Sequence, residues 1–169
     1  MNIKKLLICT AGLFAAQAGS LAGVDQTLNF TVPPVSSMGI SGDVTFAALA
    51  SPAPGENFTA VTDNSTSYSL SLNGSSTTSI SAKLSSALPD GLEVAVSLAA
   101  PTGSSATGTS KTVLTTADQP VMSGLGSGAS SGNGITYDLT ADMSKAPTGA
   151  VQIVVTYTLV SSGTAPAAA

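Results

Sequence analysis

The sequence predicts an all-β domain, an antiparallel Ig-like β-sandwich of about seven to nine strands. Three observations point there. Apolar residues recur at every second position in short runs, turn clusters interrupt these runs, and no stretch carries the three-to-four spacing of an amphipathic helix. Ser and Thr fill the outward positions where Lys and Glu normally stand. Two packed antiparallel sheets bury such half-apolar strands most economically, with a closed barrel as the alternative.

The elements follow in order. Leu28, Phe30 and Val32 alternate with polar Asn29 and Thr31 until Pro33-Pro34 ends the run. Val44 and Phe46 mark a second strand within 42–49, and the prolines and glycine of Ser51 to Gly55 make a loop, since they cannot serve a central ladder. Phe58 and Ala60 open the next strand, Asp63-Asn64 turns it, and Tyr68, Leu70 and Leu72 lead to Asn73-Gly74, a hairpin signal because both residues tolerate positive φ. Ile80, Ala82 and Leu84 alternate around outward Lys83. Pro89-Asp90-Gly91 then turns the chain into Leu92, Val94, Val96 and Leu98.

Pro101 to Ser110 reads as a loop, and Val113-Leu114-Thr115 and Pro120-Val121-Met122 as short edge pieces. Gly124 to Gly134, with five Gly in eleven residues, reads as a mobile loop. Ile135, Tyr137, Leu139 and Ala141 alternate, and Val151 to Leu159 forms the longest clean strand. The small residues of Ser161 to Ala169 are expected to be a flexible tail.

The N-terminus has the form of a secretory signal. Lys4 and Lys5 precede an apolar run from Leu6 to Ala16, and small residues then allow cleavage after Ala18 or Ala22. A membrane anchor needs ~20 apolar residues, more than this run supplies. The expected organisation is a signal peptide at 1–22, a sandwich at 23–160 and a tail at 161–169. The destination is outside the cell or on its surface, through the periplasm. Cys9, the single cysteine, lies within the signal, so the mature chain must hold its core by packing without disulfides.

Composition excludes several function classes. Only 8% of the 169 residues are charged, against the usual ~25%. There is no His, Arg or Trp, and the net charge is −4. A chain without Arg and with net negative charge is a poor phosphate binder, so nucleic acid is not an expected partner. Without His, both the commonest neutral-pH base and the commonest metal ligand are missing.

Candidate chemical sites fail on pattern. Asp138 and Asp142 are the acids placed to approach each other across a strand end, but two carboxylates define neither a glycosidase pair nor a calcium loop. Gly124-Leu125-Gly126-Ser127-Gly128 departs from the nucleophile elbow, and Ser110-Lys111 and Ser144-Lys145 lack the Ser-x-x-Lys spacing. Lys83, Lys111 and Lys145 are read as solvated charges rather than partners in an internal cross-link. Asn-x-Ser/Thr triplets at Asn29, Asn57, Asn64 and Asn73 are read as turn asparagines in a Ser/Thr-rich chain. No catalytic residue, metal ligand or cofactor is expected.

All three tyrosines share one pattern, Ser/Thr-Tyr-x-Leu: Ser67-Tyr68-Ser69-Leu70, Thr136-Tyr137-Asp138-Leu139 and Thr156-Tyr157-Thr158-Leu159. In a strand the Tyr and Leu share a face, so these are expected to be core pairs whose hydroxyls find backbone or water.

The early segment Val24 to Val32 and the late Val154 to Leu159, behind a signal peptide, resemble bacterial surface sandwiches. The nearest are pilin subunits of the archaic chaperone–usher kind and their spore-coat-U relatives. The chain departs from them in lacking a disulfide and in running on past its last strand. The resemblance implies a non-enzymatic structural or adhesive protein, a self-assembling fibre subunit whose partners are copies of itself or an assembly chaperone. It also implies an incomplete sandwich completed by a neighbour's strand, with Val24, Leu28, Phe30 and Val32 as the candidate donor residues. The same alternation equally fits an ordinary first strand. The alternative function is a soluble secreted binding module, for carbohydrate for example, using loops at one end of the sandwich.

Overall fold

The computed structural model describes residues 26–162, with 75 and 109 excepted. Among the described residues nine strands form: β1 (Ser36–Ile40), β2 (Val61–Leu72), β3 (Thr77–Leu84), β4 (Leu92–Leu98), β5 (Thr107–Gly108), β6 (Thr112–Val113), β7 (Gln119–Leu125), β8 (Gly128–Ala141) and β9 (Val155–Ser162). They make two antiparallel sheets, one in the order β1-β2-β8-β4-β6 and the other β5-β7-β3-β9. The fold is the all-β, two-sheet architecture expected from alternation. The chain divides after Val32, and the sandwich belongs to the unit 33–169.

Alternation places the core. In β3, Thr78, Ile80, Ala82 and Leu84 are buried while Ser79, Ser81 and Lys83 turn outward. In β4, Val94, Val96 and Leu98 point inward. Tyr68 and Leu70 of β2, Val121 and Leu125 of β7, and Ile135 and Tyr137 of β8 join the same cluster. Each fully buried aliphatic side chain removes enough surface from water to be worth roughly 1.5–3 kcal/mol. That burial holds a chain with very few charges.

The connections depart from expectation in one consistent way. Asn73-Gly74 does not close a hairpin, because β2 lies in one sheet and its successor β3 in the other. From β2 onward every successive strand switches sheets, so the turns are arches over the core rather than links between ladder neighbours. Pro89-Asp90-Gly91 is such an arch. Gly91 has φ of 84°, and a Cβ there would meet the Ala146 nitrogen at 2.6 Å, so both conformation and space require glycine.

Several boundaries also differ. Residues 26–35 and 43–50 contain no strand, while Ser36–Ile40, with Met38 as its one half-buried side chain, does form one. Val44 and Phe46 still pack against the core, but outside any ladder. Asp63-Asn64 is a bulge inside β2 rather than a turn. Gly124 to Gly134 is largely strand, with Asn133 buried and donating from Nδ2 to the Tyr68 carbonyl at 3.2 Å and to Ser130 Oγ at 3.0 Å. Those bonds supply what the missing apolar side chains cannot. β7 is seven residues long and lies inside its sheet between β5 and β3, not at an edge. The last strand begins at Val155 rather than Val151, and residues 163–169 of the expected tail lie outside the described residues.

Candidate functional site

Of the four candidate strand-donor residues, Val24 lies outside the described residues. Leu28, Phe30 and Val32 are exposed at 76%, 84% and 67%, the highest values among the exposed large apolar side chains. They stand at every second position of a segment, residues 26–32, that forms no strand among the described residues. An exposed apolar side chain is ordinary singly; three in strand spacing form a face that water does not favour.

The root of that segment is fixed. Asn73 Oδ1 accepts from the Val35 amide at 2.6 Å, its Nδ2 donates to the Pro33 carbonyl at 2.9 Å, and its own amide donates to the Val35 carbonyl at 2.9 Å. One side chain therefore clamps both sides of Pro34. The sequence marks Asn73 only as a turn residue, and nothing in its spacing from Pro33 signals the clamp. Beside it lies a shallow cavity of about 360 Å³ lined by Pro34, Val35, Leu72, Asn73, Thr78 and Ser161. That places the root at the end of the sandwich where β9 finishes.

Among the described residues the strand β9 is an edge, bonded only to β3. Its eight residues pair with β3 without a register break, from Leu84↔Val155 to Thr77↔Ser162. It carries no charge and no proline. Its inward Val155, Tyr157 and Leu159 are only half-buried, whereas Ile80, Ala82 and Leu84 on the neighbouring strand are fully covered. The other edges are shorter: β1 has five residues behind Pro33-Pro34, and β5 and β6 have two each. Natural sheets usually blunt an edge with charge, proline or a bulge, and β9 uses none of them.

The tyrosines are core residues with satisfied hydroxyls. Tyr68 is fully buried and its hydroxyl donates to the Ala99 carbonyl at 2.5 Å, with Met122 Sδ at 3.4 Å. Burial pushes this phenol up to about 12. The Tyr137 and Tyr157 hydroxyls meet at 2.7 Å. Burial raises both, and for Tyr157 the neighbouring Tyr137 adds to the rise.

The carboxylates have local partners. Asp138 is buried on β8 and its Oδ1 accepts from Thr62 Oγ1 at 2.5 Å, while Lys111 Nζ lies 3.1 Å from Oδ2. The Thr62 bond, followed by Lys111, holds its carboxyl below the ordinary range against the opposing effect of burial. Asp142 accepts from the Ser144 hydroxyl at 2.7 Å and the Ser144 amide at 2.9 Å, which lower it likewise. Lys145 lies 4.0 Å from it, and Lys83 pairs with Asp118 at 3.4 Å. Each lysine of the described residues thus has a carboxylate beside it. Among those residues no group of three or more acids, His or Cys converges, and no helix is long and apolar enough to cross a membrane.

Compared with known protein families, curated proteins and solved structures, the chain matches none.

Proposed function

We propose that this is an exported, non-enzymatic structural or adhesive sandwich whose copies assemble into a surface fibre by donating the segment 24–32. The observation that carries this reading is the exposed apolar face of Leu28, Phe30 and Val32, in strand spacing and outside any ladder. An extended segment of that pattern gains main-chain bonds and buries its apolar side only by joining a sheet. Export rests on Lys4, Lys5 and the apolar run to Ala16. A scaffold without catalytic groups suits a chain that lacks His and whose buried carboxylate is already engaged by Thr62 and Lys111.

Size-exclusion chromatography with light scattering tests this on the mature chain and on a form lacking residues 23–33. Heat-resistant multimers from the first, and a folded monomer from the second that accepts a peptide of residues 23–33, are expected. A stable monomer that unfolds when 23–33 is removed would overturn the reading, because the segment would then complete its own domain.

A further inference from the structure

We infer that Asn73 is a self-modification site: the Gly74 main-chain nitrogen attacks its side-chain amide, and the product can no longer hold Pro33 and Val35. The inference goes beyond strand donation and is independent of it, because Pro33, Val35 and Asn73 all lie in the unit 33–169.

The reaction needs only water besides the two residues. The Gly74 nitrogen gives up its proton to solvent and bonds to Asn73 Cγ, the Cγ–Nδ2 bond breaks, and Nδ2 departs as ammonia. Water then opens the resulting succinimide at either of its carbonyls. One opening leaves aspartate, and the other leaves isoaspartate, in which the main chain runs through Cβ. One water enters, one ammonia leaves, and nothing is oxidised or reduced.

Such an attack requires an unshielded nitrogen in a peptide that can turn. Gly74 has no side chain to cover its nitrogen, has φ of 124° and lies outside any ladder. Asn73 and Gly74 are both exposed, and the cavity of about 360 Å³ that they line admits water. The Val35 amide, donating to Oδ1, draws electrons from Cγ and favours attack. The bond from Nδ2 to the Pro33 carbonyl opposes departure of the leaving group. The clamp is therefore a gate, and reaction proceeds in the fraction of molecules in which it has opened.

Each other asparagine of the described residues lacks a requirement. After Asn64, the attacking nitrogen of Ser65 already donates to Asp63 Oδ1 at 3.1 Å. Asn133 also precedes a glycine, but it is buried, and Gly134 is held in the ladder opposite Ser67 with its carbonyl accepting from the Ala99 amide. Asn29 and Asn57 precede Phe30 and Phe58, whose side chains crowd the nitrogen.

The change runs one way. A carboxylate at position 73 has no hydrogen for the Pro33 carbonyl and sets negative charge beside that oxygen. In isoaspartate the carboxylate also sits one carbon nearer the main chain, short of Val35. An opening that leads to reaction is thus kept, and the root of the 26–32 segment stays released.

Ageing the mature chain in mildly alkaline buffer, folded and in urea, with each asparagine followed by peptide mass spectrometry, tests this. In urea Asn73 and Asn133 are expected to react at similar rates, since both precede glycine. In the folded chain Asn73 should slow several-fold, yet outrun Asn64 and Asn133 by about tenfold or more. A folded rate at Asn73 equal to or above its urea rate would overturn the gate. An Asn73 as inert as Asn133 in the folded chain, or slower than Asn64, would overturn the site. The aged form carries an added negative charge and separates by anion exchange. Hydrogen exchange at Val35 and Ser36 should be several-fold faster in it than in fresh protein, with β3 and β8 unchanged. Unaltered exchange there would overturn the release. Strand donation is decided by oligomeric state, which neither readout uses.

Discussion

The phenol oxygens of Tyr137 and Tyr157 stand 2.7 Å apart and join the two sheets, since one residue belongs to β8 and the other to β9. Tyr137 is 6% exposed, so its hydroxyl has little access to water if that partner is removed. Tyr157→Phe is therefore expected to lower stability by about 1–3 kcal/mol, the cost of leaving a buried polar group unpaired. Adding Tyr137→Phe should lose less than the sum of the two single changes. Urea denaturation of the four forms checks both statements.

Alkali should unfold the protein through its phenols. Tyr68 is raised from 10.0 to about 12, and Tyr137 and Tyr157 are raised in the same direction. A group raised on folding contributes stability that is complete below its unfolded value. The contribution is lost as pH rises through the folded value. The urea midpoint should thus hold steady at neutral pH and fall from about pH 10 upward. A midpoint that stays level as the tyrosines ionise would contradict the assignment.

Acid should act on Asp138 with the opposite sign. Its carboxyl is lowered from 3.8 chiefly by the Thr62 hydroxyl, so its contribution is present above that value and lost as pH falls through the lower folded one. Lys111 is 66% exposed in its side chain, and solvent screens its share. Thr62→Val should cost about 1–2 kcal/mol at neutral pH. It should also flatten the stability profile below pH 4 relative to the unaltered chain. Thermal melts across that range provide the measurement.

One buried hydroxyl offers a gain. Thr66 is 4% exposed and its Oγ1 has no hydrogen-bond partner. Valine has the same branching and nearly the same shape. Thr66→Val removes the unpaired group and should stabilise by about 1 kcal/mol, within the range for replacing an unsatisfied polar atom. Differential scanning calorimetry should show a higher melting temperature, and a lower one would mean that the hydroxyl is satisfied in solution.

How much of this was legible in the sequence depends on which side chains carried the pattern. Ile80, Ala82 and Leu84, or Val94, Val96 and Leu98, announce a half-buried strand because alternation maps directly onto burial. β1 is silent because Ser36–Ile40 buries mainly Met38 and owes its place to backbone pairing with β2. The first half of β8 is hidden by its Gly and Ser content, with Asn133 making polar bonds where a pattern reader looks for apolar contact. Leu28 to Val32 fails in the opposite sense, since alternation specifies a face but supplies no ladder partner. Asn73 shows the same limit for the candidate site. Its clamp on Pro33 and Val35 spans 38 to 40 residues of sequence, and no local signal encodes it.

The arches that carry each strand from one sheet to the other also set the kinetics of folding. No ladder after β1–β2 joins consecutive strands: β2 waits for β8, and β3 waits for both β7 and β9. Leu84 finds its ladder partner only at Val155, so almost the whole domain must be available before that pairing can form. High contact order of this kind places folding in roughly the millisecond-to-second range. A chain emerging from its N-terminus can form the β1–β2 pairing and the short β4–β6 and β5–β7 ladders early, but its two sheets close only when β8 and β9 arrive.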